Sequence, residues 1–255
     1  MEIPSASAAP EAAASMASGT PAPLARAAAV FCRPGMAWNG LEHRAQWWFP
    51  LLVMILVNSL FTLTLHERAM MPMIVEQWEQ LVENGQMPPE RLDGMATFFR
   101  SPAGLALSVG QQLVVWPIVA LVLALGISFG TGFVLGNRLP FRLALEIASW
   151  SSLVLIPSYA ITWALAWTRE TLRGIHLGLG ALVPMAEPPE KLQLAVAAFL
   201  DALGPFNLWF LAVVVIGAAA LSGAPRKSVA WILGGLYLAL AGFVAALAAL
   251  FAPGA

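Results

Sequence analysis

The chain has 255 residues, 59% of them hydrophobic and 11% charged, with a mean hydropathy of +0.77. That composition excludes most water-soluble classes, which need far more polar surface. A net charge of −1 offers no basic excess for nucleic acid, and the one cysteine, Cys32, closes no intrachain disulfide.

An all-α integral membrane protein with five transmembrane helices is therefore expected. Residues 1–23 form an Ala/Pro/Ser tail, predicted to be disordered, and they lack the basic start and apolar middle of a signal peptide. Residues 24–46 mix apolar and basic side chains around Pro34-Gly35 and predict an interfacial amphipathic segment, with Trp38 at the headgroup level. A solvated arm is the alternative, but Val30, Phe31, Met36, Trp38 and Leu41 argue for apolar surroundings.

Residues 47–251 form the predicted membrane domain, with spans at about 47–65, 113–135, 143–167, 206–221 and 229–251. Trp47-Trp48 opens the first at an aromatic belt, and Pro50 falls in its first turn, where a missing N–H costs least. Leu113 to Leu135 carries no charge over a length that crosses about 30 Å of hydrocarbon. The link 137–142 is too short to recross lipid, so the second and third spans form a hairpin. Pro157 should kink the third span or open its backbone ladder there.

Two long connections, 65–112 and 168–205, are expected to be helical and extracytoplasmic. Each contains a similar helix start, Pro88-Pro89-Glu90-Arg91-Leu92 and Pro188-Pro189-Glu190-Lys191-Leu192. This pairing is either a true internal duplication or a common helix-initiating pattern used twice. Arg26, Arg33, Arg44, Arg138, Arg142, Arg226 and Lys227 fall in the segments that face inward if the N-terminus is cytoplasmic. The other six basic residues are diluted by ten acids in the two connections, so N-in, C-out is expected.

Small residues four apart, Gly126/Gly130 and Gly132/Gly136 in the second span and Gly235/Ala239 and Gly242/Ala246 in the fifth, are candidate helix-packing positions. They serve either packing within the chain or an oligomer face. Arg142, Glu146, Ser149 and Ser152 form a candidate intramembrane polar site; an interfacial ion pair between Arg142 and Glu146 is the simpler reading, a proton relay the sharper one.

Enzyme signatures fail. His66-Glu67-Arg68-Ala69-Met70 begins like a zinc-protease motif, but Met70 replaces the second ligand. No Walker loop, CxxC pair or dinucleotide fingerprint occurs. No catalytic, metal or cofactor residue is assigned.

Phe31-Cys32-Arg33-Pro34 with Trp38 and Leu41, then Trp47-Trp48-Phe49-Pro50-Leu51, precede Phe141-Arg142 and Ser149-Trp150-Ser151-Ser152 with Ile156-Pro157. The series ends with Asp201 through Trp209 and Ile216-Gly217. In that order, over residues 24 to 251, these fragments resemble the bacterial branch of the Yip family, the Ypt/Rab-interacting-protein membrane domains. The resemblance implies a non-enzymatic five-span protein with its N-terminus inside. It implies structural roles for Pro50 and Pro157 as helix shapers, Asp201 as a loop-to-helix cap and Trp209 as an interface anchor. Binding to Rab-type GTPases, known for eukaryotic members, does not carry over, because the tail here is short and holds only Glu2 and Glu11 as acids.

The expected function is that of a membrane scaffold, organiser or complex subunit in the cytoplasmic membrane. Its partners would be the bilayer and other membrane proteins or further copies of itself. The alternative is a small-solute or lipid transporter built on a parallel two-span repeat.

Overall fold

The computed structural model describes residues 21–186 and 190–250, and among these there is no strand. The tail up to residue 20 and part of the second Pro-Pro-Glu motif lie outside the described residues. Among the described residues five helices are long and apolar enough to cross a bilayer: Trp48–Glu83, Pro102–Val134, Phe141–Arg169, Pro205–Ser222 and Arg226–Leu250. They are called spans one to five below.

Span one is longer than its hydropathy suggests. Helix α1 (Pro23–Cys32) precedes it; α2 (Trp48–Leu65) then runs through a π-turn, His66–Met70, into α3 (Met71–Glu83). The expected loop at residue 65 is thus a continued helix. Pro72 explains the π-turn, since its ring cannot accept the regular ladder and a widened turn ahead of it relieves the clash.

Helices α4 (Pro89–Arg100) and α5 (Pro102–Gly110) lead into α6 (Gln112–Ser128), which ends in a second π-turn, Phe129–Val134. Ser101 caps α5, its hydroxyl accepting the Gly104 N–H at 3.3 Å, with Pro102 beginning the helix. Span three is α7 (Phe141–Ser152), a 3₁₀ turn at Leu153–Leu155 and α8 (Ile156–Arg169). The Ile156 N–H bonds to the Leu153 carbonyl, so the helix tightens just before Pro157 and leaves that residue at the start of a new segment. Helix α9 (Lys191–Ala202) starts with a reciprocal capping box between Glu190 and Gln193. The last two helices are α10 (Pro205–Ser222) and α11 (Arg226–Leu250).

Both connections gather at one end of the bundle, the loop end. There Arg68 bonds to Glu170 at 2.8 Å, Arg173 to Glu76 at 2.5 Å, and the His66 ring to the Phe99 carbonyl at 2.8 Å. The N-terminal segment and the two short links gather at the other, the arm end, where Arg142 donates to the carbonyls of Leu41 and Glu42 and Asn137 to that of Ser222. Span three is central, with 56% of its apolar window buried against 17–33% for the other four. It is also the most polar span, and burial within the bundle keeps its polar side chains out of lipid.

One face of residues 24–46 packs onto this core, and the other stays exposed. Val30, Ala37, Trp38 and Leu41 are buried, Met36 is exposed, and the Phe31 ring meets the Trp209 ring edge-on at 5.6 Å. Trp38 thus lies inside protein, over Gly217 of span four, where any Cβ would stand 2.8 Å from its ring. Among the small-residue steps, Gly130 is a close approach, with a would-be Cβ 2.9 Å from Leu233 of span five. Gly126, Gly132, Gly136, Gly235 and Gly242 have nothing within 4 Å of that position, and Gly235 and Ala239 are exposed. At Gly126, Gly132 and Gly235, then, spacing alone identifies no contact within the chain. Gly136, at φ +72°, serves instead to end the helix.

Candidate functional site

The polar residues of the bundle fall into two groups, one at each end of span three. The arm-end group is built on Glu146, fully enclosed in α7. Its carboxylate accepts the Gln46 backbone N–H at 2.6 Å and the Trp150 Nε1–H at 3.1 Å, and the Arg142 guanidinium stands 3.9 Å away. Arg26, on α1, is equally enclosed. It donates from Nε to Gln46 Oε1 at 2.9 Å and from its terminal nitrogens to the carbonyls of Ala37 and Asn39, while its guanidinium lies over the Trp150 ring, 5.7 Å from the centroid. Burial lowers the Arg26 pKa, opposed by the Glu146 charge. With its bonds made and its volume closed, this group is a fastener for the arm. It has no room for a substrate.

The second group surrounds two cavities toward the loop end. The smaller, about 220 Å³, is lined by Ser158 and Thr162 of α8, Ile175, Leu177 and Gly178 of the second connection, Asp201, Gly204, and Phe206 and Asn207 of α10. The His176 Nδ1 lies 2.5 Å from Asp201 Oδ2, and Asn207 Nδ2 donates to the Asp201 carbonyl at 3.0 Å. Gly178 and Gly180 fit against Asp201 so closely that a Cβ on either would stand under 3 Å from it. Asp201 therefore does not cap the next helix; it lies within α9 and grips the 176–180 segment. Gly204 occupies the cap position of α10 without a side-chain bond.

The larger cavity, about 440 Å³, lies between the spans. Its apolar walls are Val115, Trp116, Val119 and Leu123 of span two, Leu155 of span three and Phe210 of span four. Its polar groups are Asn58, Gln112, Ser152, Tyr159, Asn207 and Tyr237. Asn207 borders both cavities; the larger is called the chamber below.

Of the four residues expected to form an intramembrane site, Arg142 and Glu146 belong to the fastener and Ser152 to the chamber. Ser149 is buried, with its hydroxyl unpartnered among the described residues. The four do not form one site. Arg26 and Gln46 were missed because the arm precedes the spans, although a lone arginine among the alanines of a short helix was a visible signal. Gln112, Asn207 and Tyr237 were missed because a single amide or phenol in an apolar helix carries no pattern.

Among the described residues no group of three His, Cys, Asp or Glu side chains is arranged to hold a metal ion. Compared with known proteins, the chain matches no family, no curated protein and no solved structure.

Proposed function

We propose that this chain is a non-enzymatic multi-pass protein of the cytoplasmic membrane, of Yip-family type, whose spans enclose a binding chamber, so that it works as a carrier of lipid or small solute. The observation that carries this reading is the chamber itself: a partly open cavity of about 440 Å³ lined by six uncharged polar side chains. Concave sites of this size, mostly apolar with a few convergent polar groups, are the usual form of a ligand site. The arm end is cytoplasmic in this reading, since it holds Arg33, Arg44, Arg138, Arg226 and Lys227.

The test is transbilayer movement of fluorescent lipids, neutral and anionic, in liposomes holding the purified chain. Faster movement than in protein-free liposomes is expected, slowed several-fold by Ser152→Ala with Tyr159→Phe in a protein that remains monodisperse. No acceleration for any lipid would remove the carrier reading. The scaffold reading, with partner membrane proteins or further copies of the chain, draws support from Gly235 and Ala239 on the exposed face of span five. Stoichiometric copurification of a protein would favour it.

A further inference from the structure

Resting on the carrier reading, we propose that the chamber takes an uncharged membrane amphiphile, an apolar chain bearing hydroxyl or carbonyl groups, which enters from the bilayer between spans two and five.

No Asp, Glu, Lys, Arg or His lines this compartment. A charged headgroup brought there would lose its hydration and meet no counter-charge, which disfavours it. Hydroxyl and carbonyl groups meet the opposite situation. The Tyr159 hydroxyl has no hydrogen-bond partner among the described residues and can donate. Asn58 and Asn207 each spend one amide N–H on a backbone carbonyl, Met54 and Asp201 respectively, which leaves their side-chain carbonyls as acceptors. Ser152 and Tyr237 donate to the carbonyls of Ser149 and Ala202 and can still accept. The compartment thus presents donors and acceptors without charge.

Access follows from how span five is held. It meets span two at Gly130, under Leu233 and Ile232. Further along, it packs against α9, to which Tyr237 is bonded at 2.6 Å. Val115 and Val119, on the span-two wall of the compartment, remain 45% and 38% exposed. With span two in the bilayer, that exposed wall gives a bilayer component a path needing no passage through water.

The experiment reconstitutes the full chain in nanodiscs with a diazirine-bearing diacylglycerol or, separately, a matching diazirine-bearing phosphatidylglycerol, and maps labelled peptides by mass spectrometry. The neutral probe should label span-two and span-three peptides roughly tenfold more than the anionic one, the factor expected for 1.4 kcal/mol of discrimination. Val119→Trp should abolish that labelling, and the unaltered size-exclusion profile of this lipid-facing variant is the folding control. Tyr159→Phe should weaken it by a few fold. Equal labelling by both probes, preference for phosphatidylglycerol, or neutral labelling indifferent to Val119→Trp would each overturn the proposal. The two readings fail separately: selective neutral labelling without lipid movement removes the carrier but keeps the ligand class, whereas blockable phosphatidylglycerol labelling with movement keeps the carrier and removes the ligand class.

Discussion

The backbone N–H of Gln46 donates to the Glu146 carboxylate at 2.6 Å, joining residues one hundred positions apart and tying the N-terminal arm to the central span. Arg26 grips the same Gln46 through its side chain, so the arm is held by a charge on each side of one residue. Removing either side chain leaves buried hydrogen-bonding groups of the network unpaired, at a cost of about 1–3 kcal/mol. Glu146→Ala and Arg26→Met should each lower the thermal midpoint of the detergent-solubilised protein markedly. Both should open the arm to trypsin at Arg44. The double variant should lose less than the sum of the two, since one network is broken twice. An unchanged midpoint and an uncut arm would show that the fastener is inert.

Trp38 and Gly217 make a second, purely steric tie. A methyl at Gly217 would stand 2.8 Å from the ring, while Gly235 is open. Gly217→Ala should therefore destabilise by about 1–3 kcal/mol, and Gly235→Ala should stay within about 0.5 kcal/mol of wild type. Thermal stability of the two variants by fluorescence-detected size exclusion decides it, and equal effects would remove the claim that the arm packs on span four.

At the loop end, the His176–Asp201 contact holds the 176–180 segment over α9. Both side chains are partly exposed, 23% and 30%, so solvent screening discounts the contact to about 1 kcal/mol. Asp201→Ala should speed hydrogen exchange of residues 174–182 by roughly fivefold and leave residues 26–46 unchanged. Exchange that rises equally at both ends would mean a global loss of stability instead.

Orientation is open to direct chemistry because Cys32, the chain's one cysteine, is exposed at the arm end. A membrane-impermeant maleimide should leave Cys32 unlabelled in intact cells and label it in inverted vesicles. The reverse should hold for Cys32→Ser/Glu79→Cys, which moves the thiol to the loop end. The opposite pattern would place the N-terminus outside.

The five spans were legible because a run of apolar residues long enough to cross lipid leaves a mark that tertiary contacts do not erase. Their starts and ends were less so: α2 runs on through His66–Met70 into α3 even though the residues turn polar, because backbone hydrogen bonding continues where hydropathy stops. Pro157 stands at the 3₁₀ interruption of span three, where a missing N–H acts locally. At Gly126 and Gly235 the four-residue spacing says which residues share a face and not what that face meets. The chamber was invisible for a related reason. Asn58, Gln112, Tyr159, Asn207 and Tyr237 come from five separate helices, and packing alone brings them together.

The central claim, a bundle built around a ligand chamber, is tested most directly by extracting the chain from native membranes into nanodiscs and identifying everything bound by mass spectrometry. The account predicts a stoichiometric lipid-like molecule that is lost in Val119→Trp, without a stoichiometric protein partner. A stoichiometric protein with no retained small molecule would contradict it and move the function to the scaffold reading.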